Sequence, residues 1–234
     1  RKSVTKTVQK TVQKPTVPVQ SAHRRSPYVG AISAEANTGK ILFEDNADTE
    51  AYPASVTKLM TLLLVLEDVK AGKYGLDEKV TATADAYRSE PSWVGIKVGE
   101  SMTVNDLLLS LMVKSANDAA IALGVHSAGS LDAFVARMNA RAAELGMKGT
   151  RYYNPNGLPP NKKFDTTDFN VTTCRDQLKL ALELMKHPEI LRFTSLKTWK
   201  MPNGQIAVNH NNVMVKDRLK IVGPDGKESV DGFK

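Results

Sequence analysis

The sequence predicts an α/β (α+β) protein, with an antiparallel sheet assembled from both ends of the chain and a helical region inserted between them. Three observations predict it. Strand-like segments broken by turn residues lie near both ends. Apolar residues at helical spacing fill the middle. A length of 234 residues, with 41% hydrophobic and 24% charged residues, suits one large soluble domain and excludes a disordered, fibrous or disulfide-built chain.

Residues 1–27 stand outside that pattern. Thr-Val-Gln-Lys occurs twice in tandem, at 7–10 and 11–14, followed by Pro15, Pro18 and Pro27. No apolar face is available for burial, so a flexible linker is expected here and one domain over 28–234. The net charge is +7, and the first 25 residues carry seven Lys and Arg with no acid. The remaining chain is therefore neutral. A nucleic-acid-binding domain would carry its positive charge on the fold itself, so that class is excluded. For the tail, contact with membrane headgroups or wall polymer is the functional reading. A plain spacer is the reading composition favours.

The elements follow in order. Val29 to Ala34 and Lys40 to Phe43 read as two strands around the turn Asn37-Thr38-Gly39. Pro53-Ala54-Ser55 opens an apolar helix over about 55–69, which stops at Ala71-Gly72. Residues 73–102 are mixed and punctuated by Gly75, Pro91, Gly95 and Gly99. Thr103-Val104-Asn105-Asp106 has the form of a capping box before the apolar stretch Leu107 to Val113. A helix over about 117–125 follows Ser115-Ala116-Asn117. Ser130 caps another, with Leu131, Phe134, Val135, Met138, Ala142 and Leu145 on one face and Gly146 as its stop. Residues 149–170 are loop-rich, which sets the helical insertion at about 75–170. A helix over 173–186 ends before Pro188, and strands near 196–201 and 206–208 flank Pro202-Asn203-Gly204.

The strongest chemical feature is Ser55-Val56-Thr57-Lys58. On a helix, residues three apart share a face, so Lys58 can reach the Ser55 hydroxyl. A serine needs a base before it attacks a carbonyl, and a lysine serves only when neutral. The apolar run from Leu59 to Leu66 supplies the burial that would lower its pKa. The tetrapeptide alone says little, because Ser3-Val4-Thr5-Lys6 repeats it in the polar tail with nothing apolar after it. A second feature is Ser115-Ala116-Asn117, between two apolar helices. Its hydroxyl can relay a proton and its amide can hold a substrate amide, although an ordinary helix cap uses the same residue types. A third is Asp231-Gly232-Phe233-Lys234, where a terminal lysine is ordinarily just solvated.

Together these stretches resemble the serine penicillin-binding proteins, whose motif set is Ser-x-x-Lys, Ser-x-Asn and Lys-Thr-Gly. The likeness is greatest to the low-molecular-mass D-alanyl-D-alanine carboxypeptidases of the β-lactamase/transpeptidase-like fold. It rests on Pro53 to Met60, Ser115 to Ala120, Asn154-Pro155-Asn156-Gly157-Leu158 and Asn209-His210-Asn211. The resemblance implies Ser55 as nucleophile, Lys58 as its base and Ser115 as proton relay to the departing D-alanine. It gives Asn117 the substrate amide and Lys234 the terminal carboxylate. It implies a peptidoglycan stem peptide ending in D-Ala-D-Ala as substrate, β-lactam antibiotics as acylating mimics, an extracytoplasmic location, and neither metal nor cofactor. In the family the late lysine opens Lys-Thr-Gly on a strand that also supplies an oxyanion donor. Here the sequence stops at Lys234, so the native protein is expected to continue.

Three other readings stay open. A class A β-lactamase would need a deacylating Glu, and Arg151 to Phe164 contains none. A DD-endopeptidase would use the same residues. A non-catalytic penicillin- or wall-binding module need not keep a nucleophile with its base. His23, His126, His187 and His210 show no metal spacing. Trp93 reads as cleft lining or rim packing, and Cys174 as a small packing residue.

Overall fold

Leu62 to Leu66 is completely shielded from solvent, although an amphipathic helix would leave one face wet. The segment is therefore a central helix, covered on every side. A computed structural model of the chain describes residues 28–87, 92–159, 168–209, 220–222 and 228–230. In it the central helix is α1 (Lys58–Lys70), preceded by a 3-10 turn over Ala54–Thr57. Around α1 pack α3 (Val104–Val113), α4 (Asn117–Ala128), α5 (Leu131–Glu144) and α6 (Cys174–Leu184). Two short helices, α2 (Ala84–Tyr87) and α7 (Ile190–Thr194), complete the helical elements of the described residues.

Local sequence explains the helix ends. The hydroxyls of Thr103, Ser130 and Thr173 accept the N–H groups of Asp106, Ala133 and Asp176 and so cap α3, α5 and α6. Gly129, at φ 82°, ends α4 in the left-handed conformation that glycine adopts without strain. That stop falls three residues beyond the expected one, because His126 to Ala128 continue the helix.

The strands form antiparallel pairs. β1 (Ala31–Ala34) pairs with β2 (Ile41–Asp45), and β3 (Lys79–Thr81) with β4 (Ser101–Thr103). β5 (Thr198–Lys200) pairs with β6 (Ile206–Val208), and β7 (Lys220–Val222) with β8 (Glu228–Val230). The mixed architecture, with ladders toward both ends and helices between, agrees with the sequence reading. Among the described residues each ladder stays two-stranded. The N-terminal strands meet the later part of the chain through β1 packed against α6, an isolated antiparallel bridge between Ala51 and Thr172, and ion pairs from Arg175 to Glu44 and Asp48. The β3–β4 ladder, α2 and α7 were not expected, since each is only three to five residues long.

Candidate active site

The expected single helix from residue 55 is two structures in series. Ser55 sits in the 3-10 turn and Lys58 is the first residue of α1. In a 3-10 turn side chains three apart eclipse one another more closely than on an α-helix. The lysine amine is thereby set directly against the serine hydroxyl, with Nζ to Oγ at 3.0 Å. Ser55 is exposed while Lys58 is buried to 2% exposure. A reagent can reach the hydroxyl, and water is kept from the amine beneath it.

Burial pushes the Lys58 ammonium down to about 8, because a charge is costly away from water. Its second partner is the Asn156 carbonyl, 2.7 Å from Nζ. A neutral amine that donates a hydrogen there leaves its lone pair free for the serine proton. The Thr61 hydroxyl donates to the Pro155 carbonyl at 2.8 Å, which ties the same loop to α1. Gly157 then crosses the nucleophile turn so closely that a Cβ would lie 1.8 Å from the Ala54 carbonyl oxygen. Only glycine permits that approach. Sequence motifs missed the Asn156 carbonyl because any residue supplies one. The turn-forming string Asn154-Pro155-Asn156-Gly157 was the available signal.

Ser115 and Asn117 lie at the start of α4, which packs on α1. Ser115 is half-buried and Asn117 is buried. No hydrogen bond joins Ser115 to Lys58 among the described residues, so the structure links Ser55 with Lys58 directly and brings α4 alongside. The Asn117 N–H donates to the Ser92 carbonyl at 2.8 Å. The next residue, Asp118, accepts the N–H groups of Val94, Gly95 and Ile96 at 2.9–3.3 Å and that of Ala119 at 2.9 Å. Loop 92–96 is therefore stitched to the helix that carries Ser115 and Asn117. Trp93, in this loop, is half-buried with its ring 6.1 Å from that of Tyr87. Four non-glycine residues among those described have positive φ. Three of them, Ala54 (45°), Ser92 (61°) and Ser115 (57°), border this region. Strained backbone of this kind gathers at functional sites.

The remaining candidates stand apart. Lys234, His210, His23 and the tail lie outside the described residues. His126 faces Glu78 at 3.2 Å and stacks edge-on against Tyr74. His187 lies near Glu189, at 3.6 Å. Cys174 begins α6 and packs beside Gly30. No cluster of metal-ligating side chains occurs among the described residues.

Known proteins are similar to this chain in sequence and fold. Residues 17–226 match the family model described as D-alanyl-D-alanine carboxypeptidase. The chain is 36% identical over 164 residues to the D-alanyl-D-alanine carboxypeptidase DacF of Bacillus subtilis, covering 70% of this chain and 40% of that protein. A crystal structure of a peptidoglycan synthesis regulatory factor (PBP3) from Streptococcus pneumoniae superposes with a TM-score of 0.75 at 32% identity, over 79% of this chain and 54% of that one. Penicillin-binding protein D2 of Listeria monocytogenes, solved in its ampicillin-bound form, gives a TM-score of 0.68 at 31% identity, over 79% and 72%. The chain spans about half the length of the curated relatives it matches. The matched span includes the Ser55 turn, α4 and the Asn156 loop, so the chain belongs to the D-alanyl-D-alanine carboxypeptidase family.

Proposed function

We propose that this protein is a serine D-alanyl-D-alanine carboxypeptidase that removes the terminal D-alanine from peptidoglycan stem peptides. The observation that carries the reading is the Ser55–Lys58 pair, an exposed hydroxyl 3.0 Å from a buried amine whose pKa lies near 8. Lys58 takes the Ser55 proton as Oγ bonds to the carbonyl carbon between the two D-alanines. The Ser55 backbone N–H is one donor to the oxyanion. The C–N bond then breaks, and the departing D-alanine nitrogen receives the proton through Ser115. Water hydrolyses the acyl-enzyme and frees Ser55. Asn117 holds the substrate's peptide amide. Lys234 binds the terminal carboxylate, and its positive charge favours a neutral Lys58. Residues 28–234 act as the transpeptidase-like domain and 1–27 as its basic linker. Work on this substrate places the domain outside the cytoplasmic membrane. β-Lactams, as mimics of the D-Ala-D-Ala bond, acylate Ser55.

Intact mass with and without benzylpenicillin tests this. One adduct, lost in Ser55→Ala, together with D-alanine release from a D-Ala-D-Ala peptide, is the expected result. An adduct that persists in Ser55→Ala overturns the assignment. An adduct with cleavage only inside cross-linked peptides makes the protein an endopeptidase.

A further inference from the structure

We propose that Asn170 is a positioning residue for Lys58, holding the 153–158 loop on the nucleophile turn so that the Asn156 carbonyl stays against the lysine amine. The inference rests on the reading of Ser55 and Lys58 as nucleophile and base. Asn170 is 4% exposed. Its Oδ1 accepts the N–H groups of Tyr153 at 2.7 Å and Asn154 at 3.1 Å. Its Nδ2 donates to the Thr57 hydroxyl at 3.0 Å and to the Asn154 carbonyl at 3.0 Å. A carboxamide has two donor hydrogens and two acceptor lone pairs, and all four are used here.

The hydrogen bonds form one connected path. Asn170 fixes Asn154. The Asn154 Oδ1 accepts the Gly157 N–H at 2.7 Å, and its Nδ2 donates to the Leu158 carbonyl at 3.0 Å. The Asn156 Oδ1 accepts the Leu158 N–H at 2.9 Å. That closed loop aims the Asn156 carbonyl at Lys58. At its other end, Asn170 grips Thr57, the residue between the 3-10 turn and α1. One side chain thus sets the distance between the turn that carries Ser55 and the loop that orients its base.

The amide is also the charge-neutral choice. A carboxylate of the same shape would place negative charge against Thr57, the residue next to the lysine, and favour the lysine's ammonium form. Among the described residues the surroundings supply little other charge. Residues 154–158 carry no ionisable group, and the 3-10 turn brings only the hydroxyls of Ser55 and Thr57. Tyr153 is half-buried under Arg151, and Asp168 is exposed. From α4 comes Asp118, whose carboxylate is taken up by four backbone N–H groups.

The test is the acylation rate of the whole protein by a fluorescent penicillin from pH 6 to pH 10, with folding followed by circular dichroism. Asn170→Ala is expected to slow acylation by about tenfold, the scale of a sub-ångström misplacement of a catalytic group. Asn170→Asp is expected to move the midpoint of the pH profile upward by about one unit. A purely structural residue would lower thermal stability and leave the midpoint of the folded protein in place. Thr57→Val breaks the same clasp from its other side at nearly equal volume, and it decides the matter if neither Asn170 variant folds. Folded variants with wild-type rate and midpoint overturn the proposal. A wild-type protein that takes no adduct at Ser55 instead overturns the functional reading, and the positioning role falls with it.

Discussion

Helix α1 buries an ionisable side chain near each end, and the two ends treat charge in opposite ways. Lys58 and Asp68 are each 2% exposed. Asp68 is surrounded by donors. Arg137 grips both carboxylate oxygens at 2.7 and 3.0 Å, Lys73 reaches it at 2.6 Å and Tyr74 at 3.2 Å, and Ser127 adds its hydroxyl. Burial alone would raise its pKa, but the hydrogen bonds from Arg137, Lys73 and Ser127 outweigh burial and hold it at about 2. Among the described residues Lys58 has only a hydroxyl and a carbonyl, and burial brings it down to about 8. Equal burial therefore yields a permanent anion at one end and an easily neutralised amine at the other. The partner decides which, and only the neutral amine can take a serine's proton.

The largest effect is expected from Lys58→Met. Without its base, Ser55 should lose acylation by on the order of 10⁴-fold or more. The same change should stabilise the fold at neutral pH by up to about 3 kcal/mol, because the ammonium is held in an apolar site. The folded pKa of about 8 lies below the unfolded value of about 10.4. The cost of burying the charge is therefore full below pH 8 and is relieved as pH rises from 8 to 10.4. Urea unfolding of both proteins at pH 7 and pH 10 should show the variant's advantage shrinking. A variant less stable than wild type at pH 7 would mean that the lysine's hydrogen bonds outweigh its desolvation.

Asp68→Asn should do the reverse, with a stability loss of about 3 kcal/mol and an unchanged acylation rate in the folded fraction. The loss arises because the half-buried Arg137 guanidinium is left without its counter-charge, and Lys73 loses the same partner. Asp68 has a folded pKa near 2, against about 3.9 unfolded, so its contribution is full above pH 4 and is lost as pH falls toward 2. Acid unfolding curves of the two proteins should converge in that window. Convergence at a higher pH would give the acid transition to other carboxylates.

Next in size is the pH response of the site itself. If only neutral Lys58 accepts the Ser55 proton, penicillin acylation should rise about fifty-fold between pH 6 and pH 8 and level off above. The Asp68 variant should share that midpoint, since its network lies at the far end of α1. A flat profile across this range would remove Lys58 from the role of base.

The two ends of α1 also differ in how far the sequence exposed them. Ser55 and Lys58 are legible because a short-range rule, residues three apart before an apolar run, places them on one face. Ser115 and Asn117 are legible as the polar break between two apolar helices. Asp68 and Arg137 are 69 residues apart, and a charge on a helix reads as an ordinary solvated one until the partner is known. Asn170 lies 113 residues from Thr57 for the same reason. The helices α3 and α5 were legible through their caps and spacing, and α6 through its stop before Pro188. The β3–β4 ladder was not, because three residues cannot establish an alternating pattern.

The smallest effect lies inside the Asp68 network. Lys73 makes the shorter contact, 2.6 Å, yet its side chain is 55% exposed, against 30% for Arg137. An exposed ammonium exchanges the carboxylate for water at little cost, and a long side chain loses entropy when it is held in place. Lys73→Ala should therefore lower stability by only about 0.5 kcal/mol, a loss that 1 M salt should erase. Asp68 would still keep both bonds from Arg137 and those from Tyr74 and Ser127. A loss as large as that of Asp68→Asn would show that the short contact, rather than the less exposed guanidinium, holds the anion in place.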